Sequence, residues 1–168
     1  MARTERLTKM QAAERQLVVA TELYFRDSDL VPIHTLVAAS YNVIRDLSKN
    51  AKAPPMAVKD YLLSTVPPEE RKRILEWLNS FENFFKHADR DPGGTIELSA
   101  TLTESMLQDA WAQYERLGGV LPKAGKIFKL WSGNLKDGTP EVLQDIAAGF
   151  KALGKQQFFE SVSRLIPS

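Results

Sequence analysis

The segment Ile74-Leu-Glu-Trp-Leu-Asn79-Ser-Phe-Glu-Asn83-Phe-Phe-Lys-His87-Ala88 carries apolar side chains three or four residues apart. That spacing is typical of one face of an α-helix. The predicted apolar stripe consists of Ile74, Trp77, Leu78, Phe81, Phe84, Phe85 and Ala88. Prolines and acids at Pro67-Pro-Glu-Glu70 favour a helix start before it. Asp91-Pro-Gly-Gly94 predicts a turn after it.

Helical spacing continues on both sides of this segment, and alternation typical of a strand is not found. Ser28 or Asp29 is expected to cap the second helix, and the linker up to Pro55 to end it. Gly118-Gly119 is expected to end the fifth. The other predicted helices cover about 5–26, 56–64, 122–133, 139–153 and 155–166.

These patterns predict an all-α protein. About five helices in residues 1–120 would form a helical bundle. Residues 121–168 would form a C-terminal helical extension, packed either on that bundle or on a partner protomer.

Composition excludes several kinds of chemistry. The 168 residues include no cysteine and two histidines, so disulfides, thiol catalysis and a multi-histidine zinc centre are not expected. We predict neither a metal nor a cofactor. No apolar run approaches the roughly 20 residues that cross a bilayer, and the N-terminus is charged, which predicts a cytoplasmic protein without membrane contact. A net charge of +1 disfavours general attraction to polyanions.

The polar face of the Ile74–Ala88 helix is the candidate site. At about 100° per residue, Asn79, Asn83 and His87 lie opposite the apolar stripe. His87 could serve as an acid or base near neutral pH. Lys86 and Arg90 flank it as candidate binding residues. The alternatives are a solvated face and, for His87, a helix-end role.

The other histidine, His34, is a further candidate binding residue. It lies among apolar residues early in the second helix, where a hydrogen-bonded structural role is the alternative. Packing against the fourth helix would bring it close to the candidate site.

The segment Glu82-Asn83-Phe84-Phe85-Lys86-His87 resembles the motif of the HEPN family, an arginine followed after four to six residues by a histidine. Asn83 and His87 match the polar and histidine positions, and Glu82 stands in place of the arginine. Members of that family are helical bundles, commonly dimeric. Many are metal-independent ribonucleases, and others are binding modules without catalysis.

The resemblance implies that His87 would be the acid or base and Asn83 a supporting polar group. Glu82 removes the cation that would stabilise phosphoryl charge and would repel RNA phosphate. The leading prediction is therefore a non-enzymatic HEPN-like binding or regulatory module that forms a homodimer. The alternatives are an endoribonuclease of toxin or antiviral type that uses His87, and a structural domain that binds a protein partner.

Overall fold

The computed structural model describes residues 4–87, 89, 91–133 and 141–166, with nothing said of the side chains of 143 and 147. Within these ranges the chain is all-α and has no strand. The α-helices are α1 Lys9–Phe25, α2 Leu30–Asn50, α3 Leu62–Thr65, α4 Pro68–Lys86, α5 Ala100–Arg116, α6 Lys123–Ser132, α7 Glu141–Lys151 and α8 Lys155–Leu165. A π-helical turn, Ala57–Tyr61, precedes α3.

Polar caps define several helix starts. The Thr8 side chain accepts a hydrogen bond from the Gln11 backbone, and the Gln11 side chain accepts one from the Thr8 backbone. This capping box begins α1 at Lys9, so the predicted start at residue 5 is wrong. Asp29, one of the two predicted caps of α2, accepts a hydrogen bond from the Val31 backbone at 2.8 Å.

The short third helix differs from the prediction. The expected helix over about 56–64 is instead a π-helical turn over Ala57–Tyr61, which continues into one α-helical turn, α3. A π-helical turn closes hydrogen bonds over five residues, a geometry without a distinctive apolar spacing. The predicted start of α7 at 139 lies outside the described residues, as do Ala88 and Arg90.

The main core lies where α1, α2 and α5 meet. Leu17, Ile44 and Trp111 are buried there. The Trp111 indole N–H donates to the Thr21 hydroxyl at 3.0 Å, so this ring packs deep in the core without leaving its donor unpaired. α5 ends at a left-handed Gly118, and the Gly119 backbone N–H bonds to the Tyr114 carbonyl, as the glycine pair predicted.

The C-terminal helices α6 and α8 pack against α1 of the same chain. The Phe25 ring stacks on Phe158 of α8 at a centroid distance of 5.9 Å and meets Phe128 of α6 edge to face. All three rings are almost completely buried. A single hydrophobic cluster therefore runs from the bundle into residues 121–166.

Replacing Phe158 with alanine tests this shared cluster. The substitution should lower the free energy of unfolding by about 3–5 kcal/mol, because a fully buried aromatic ring leaves a cavity when it is removed. Urea denaturation monitored by circular dichroism would measure the loss. Leu165→Ala, on the same helix but 52% exposed, is the matched control and should change stability by less than about 1 kcal/mol. Equal losses in both variants would contradict the packing of α8 on α1.

Candidate functional site

α4 forms the candidate site because most of its surface faces away from the core. Leu78 and Phe81 are its buried residues, and both lie on the side that faces α2. Trp77, which the sequence assigns to the apolar stripe, is 53% exposed, and its ring meets the buried Phe81 ring edge to face. The apolar stripe is therefore narrower in the structure than the spacing predicted.

A groove of about 550 Å³ runs along the outer face of α4. Its second wall is the chain that follows the turn at Asp91, where the Gly94 backbone N–H bonds to the Asp91 carbonyl at 2.9 Å. The lining residues are Glu76, Asn79, Ser80, Asn83, Phe84, His87, Asp91, Thr95 and Ile96. The groove thus brings together Asn79, Asn83 and His87, three of the residues selected from the sequence.

His87 stands at the end of α4 with its ring exposed. Its backbone N–H caps the helix by donating to the Asn83 carbonyl at 3.0 Å. Neither the His87 ring nor the Asn83 amide has a hydrogen bond to any residue that the structure describes. Both exposed side chains are therefore available for hydrogen bonds to a ligand.

Lys86 is turned away from this groove. Its ammonium group forms a 2.5 Å ion pair with Oε1 of Glu82, one helical turn earlier. Oε2 of Glu82 accepts a hydrogen bond from the Asn42 amide at 2.7 Å. Burial raises the pKa of Glu82, but hydrogen bonds from Lys86 and Asn42 outweigh it and hold the pKa below its ordinary value. Glu82 is thus an internally bonded carboxylate.

The most unusual group near the groove is Lys59, which is not among the candidate residues predicted from the sequence. It lies in the π-helical turn, is 1% exposed, and its ammonium group donates to Oδ1 of Asn42 at 2.8 Å and to Oδ1 of Asn79 at 2.7 Å. Burial lowers its pKa to about 8, although the negative charge of Glu82 partly opposes this shift. A single lysine in a short helical segment gives no signal of burial, because burial here depends on two asparagines from other helices.

Lys59 determines how Asn79 meets the groove. An ammonium group only donates hydrogen bonds, so the Asn79 atom that faces it must be the amide oxygen. The Asn79 NH₂ group is consequently left as a donor toward the groove that Asn79 lines. Glu76 and Asp91 add carboxylates, and Phe84 and Ile96 add apolar surface. The groove can donate a hydrogen bond to a ligand through Asn79 and accept hydrogen bonds through the carboxylates of Glu76 and Asp91.

His34 is separated from this groove by α4. Its side chain is fully buried, its Nδ1 is 2.9 Å from the Thr103 hydroxyl, and Nε2 has no partner. The rings of Phe81 and Phe85 contact it from the inner side of α4. Burial lowers its pKa to about 4, so the ring is neutral near pH 7. The structure therefore buries His34 behind Phe81 and Phe85, and His34 does not line the groove that contains His87.

The remaining selected residue, Arg90, lies outside the described residues. Within the described ranges, no cluster of three or more histidine or acidic side chains has the arrangement of a metal site. None of the described helices is both long enough and apolar enough to cross a membrane. No protein-family model, curated protein or solved structure matches the chain.

Lys59 should make stability depend on alkaline pH. Because its pKa falls from 10.5 to about 8 on folding, the unfolded chain binds more protons between these values, and stability rises with pH through that window. From pH 7 to pH 10 the wild type should gain about 2 kcal/mol relative to Lys59→Met, as measured by urea denaturation. Lys72→Met, at an exposed position on α4, should follow the wild-type profile. Parallel pH profiles for the wild type and Lys59→Met would show that Lys59 is not buried as an ammonium group.

Proposed function

We propose that the protein is a non-enzymatic, HEPN-like binding or regulatory module that works as a homodimer, with the outer face of α4 as its recognition surface. One observation carries the proposal: α4 has 19 residues but buries only Leu78 and Phe81 in its own chain. An exposed tryptophan, Trp77, lies at the edge of this face. Tryptophan is enriched at the energetic centres of protein interfaces.

Charge along α4 supports a second copy of the chain as the occupant of the groove. Residues 68–73 of the helix carry three basic residues against Glu69 and Glu70, an excess of one positive charge, whereas Glu76 and Asp91 line the groove. In a two-fold symmetric dimer with antiparallel α4 helices, this end of each helix would lie against the acidic groove of the other. The same pairing is made twice, which is the property of an isologous interface.

The groove chemistry disfavours RNA cleavage. None of the described residues that line the groove is a lysine or an arginine, and Glu76 and Asp91 would repel a phosphate backbone. Lys86 is neutralised by Glu82. Without a cation beside His87, developing phosphoryl charge has no described partner.

The dimer is tested by replacing Trp77 with aspartate. We expect the wild type to sediment as a dimer, and Trp77→Asp to weaken dimerisation by roughly tenfold or more, because the change replaces a large apolar contact at the edge of the interface with an unpaired charge. Analytical ultracentrifugation over a range of concentrations measures the effect. Thermal unfolding of the monomeric variant should show an intact fold, since Trp77 is half exposed.

Val120→Asp is the matched control, because Val120 is 83% exposed and lies outside α4. It should leave the dimer unchanged. A wild-type chain that stays monomeric at high concentration would remove the proposal.

An endoribonuclease is the second candidate, favoured by the exposed His87 ring beside Asn83 in one groove. It predicts cleavage of varied RNAs that His87→Ala abolishes and that Asn83→Ala reduces. The proposed binding module predicts no cleavage that depends on His87. Incubation of the purified wild type and the two variants with RNA separates the two functions.

A further inference from the structure

A second groove, of about 570 Å³, lies beside the π-helical turn, away from the site on α4. Its walls come from the Pro54-Pro55 linker, from the π-helical turn and from one face of α5. The apolar part consists of the two prolines, Val58 and the Tyr61 ring, which is 61% exposed. Asp109 and Arg116, both on α5, supply opposite charges.

Asp109 is the buried polar group of this groove. The residue is 8% exposed, and its Oδ2 accepts hydrogen bonds from the Tyr41 hydroxyl at 2.7 Å and from the Val58 backbone at 3.0 Å. Its Oδ1 has no donor among the described residues. Among the described residues, Nε2 of His34 is the one fully buried side-chain nitrogen or oxygen without a partner. Oδ1 of Asp109 also has no partner among them, so it is not fully buried, and it is accessible from the groove that Asp109 lines. Oδ1 is therefore a fixed acceptor for a ligand.

Arg116 lies on the same face of α5 as Asp109. Seven residues of α-helix separate them by two turns, about 10 Å along the helix axis. The Arg116 guanidinium donates to the Gln113 side-chain oxygen at 3.1 Å. Gln113 is a neutral acceptor and lies between Asp109 and Arg116 in α5. Its other N–H groups can bind an anion in the groove.

We propose that this groove binds a small zwitterion whose ammonium and carboxylate groups are several carbon atoms apart, as in an ω-amino acid. The ammonium group donates to Oδ1 of Asp109, and the carboxylate accepts from Arg116. The methylene chain between them lies along Pro54, Pro55 and the Tyr61 ring, where its burial contributes apolar contact. A longer spacing suits the two-turn separation of the charged residues better than an α-amino acid does.

The test uses 6-aminohexanoate as the probe, with hexylamine and hexanoate as probes that each keep one charge. Isothermal titration calorimetry with the 168-residue chain should give roughly tenfold or tighter binding of 6-aminohexanoate than of either control, because only the zwitterion satisfies both ends. Equal affinity for the three probes, or no binding of 6-aminohexanoate at millimolar concentration, would overturn the proposal.

Two substitutions assign the ends of the ligand. In Asp109→Asn the amide oxygen can still accept hydrogen bonds from Tyr41 and Val58, so the fold is retained. The NH₂ group takes the place of Oδ1, the atom that would accept from the ligand's ammonium group. This variant should bind 6-aminohexanoate no better than hexanoate. Arg116→Gln, at an exposed position, should reduce the affinity to that of hexylamine.

Arg164→Gln is the control, because Arg164 is also exposed and lies on α8. It should bind the zwitterion as the wild type does. If Arg116→Gln and Asp109→Asn both keep wild-type affinity, the site is not in this groove. Because α4 contributes no residue to the groove, the result is independent of the dimer proposed above.

Discussion

The Lys59 ammonium group, held between the side-chain oxygens of Asn42 and Asn79, is the constraint that organises this molecule. It joins α2, the π-helical turn and α4 at one buried point. A buried charge is costly to desolvate, and it is tolerated only when strong hydrogen bonds replace its water. Removing one asparagine would therefore leave either an unpaired ammonium donor or a neutral lysine, and each outcome would loosen the attachment of α4 to the bundle.

The π-helical turn links this buried point to the second groove. The Lys59 backbone N–H donates to the Tyr41 hydroxyl at 3.1 Å, and that hydroxyl donates to Asp109. Burial and the adjacent Asp109 charge raise the pKa of Tyr41, so it remains a hydrogen-bond donor at neutral pH. The Lys59 side chain thus binds Asn79, which lines the groove on α4. Its backbone binds the Tyr41 hydroxyl, which in turn binds Asp109 in the groove on α5. Both grooves depend on the same five-residue turn.

The fold was more predictable from the sequence than the site. The all-α class is confirmed. It was predictable because apolar spacing, helix caps and glycines at helix ends are local signals that can be read from one sequence. The shared groove position of Asn79, Asn83 and His87 also follows from one helical period. Lys59, Asp109 and the separation of His34 were not predictable. Each depends on partners from distant segments: Asn42 and Asn79 for Lys59, Tyr41 for Asp109, and Thr103 for His34.

The orientation of α4 follows from its polar contacts as well as from its apolar ones. Leu78 and Phe81 are its fully buried residues, and the rings of Phe81 and Phe85 contact His34. Two directional bonds add to this apolar contact: Asn79 accepts a hydrogen bond from Lys59, and Glu82 accepts one from Asn42. Asn83 and His87 lie one and two helical turns beyond Asn79 on the same face, where they line the groove. The same polar network therefore helps to hold α4 on the bundle and to set which of its residues a partner can meet.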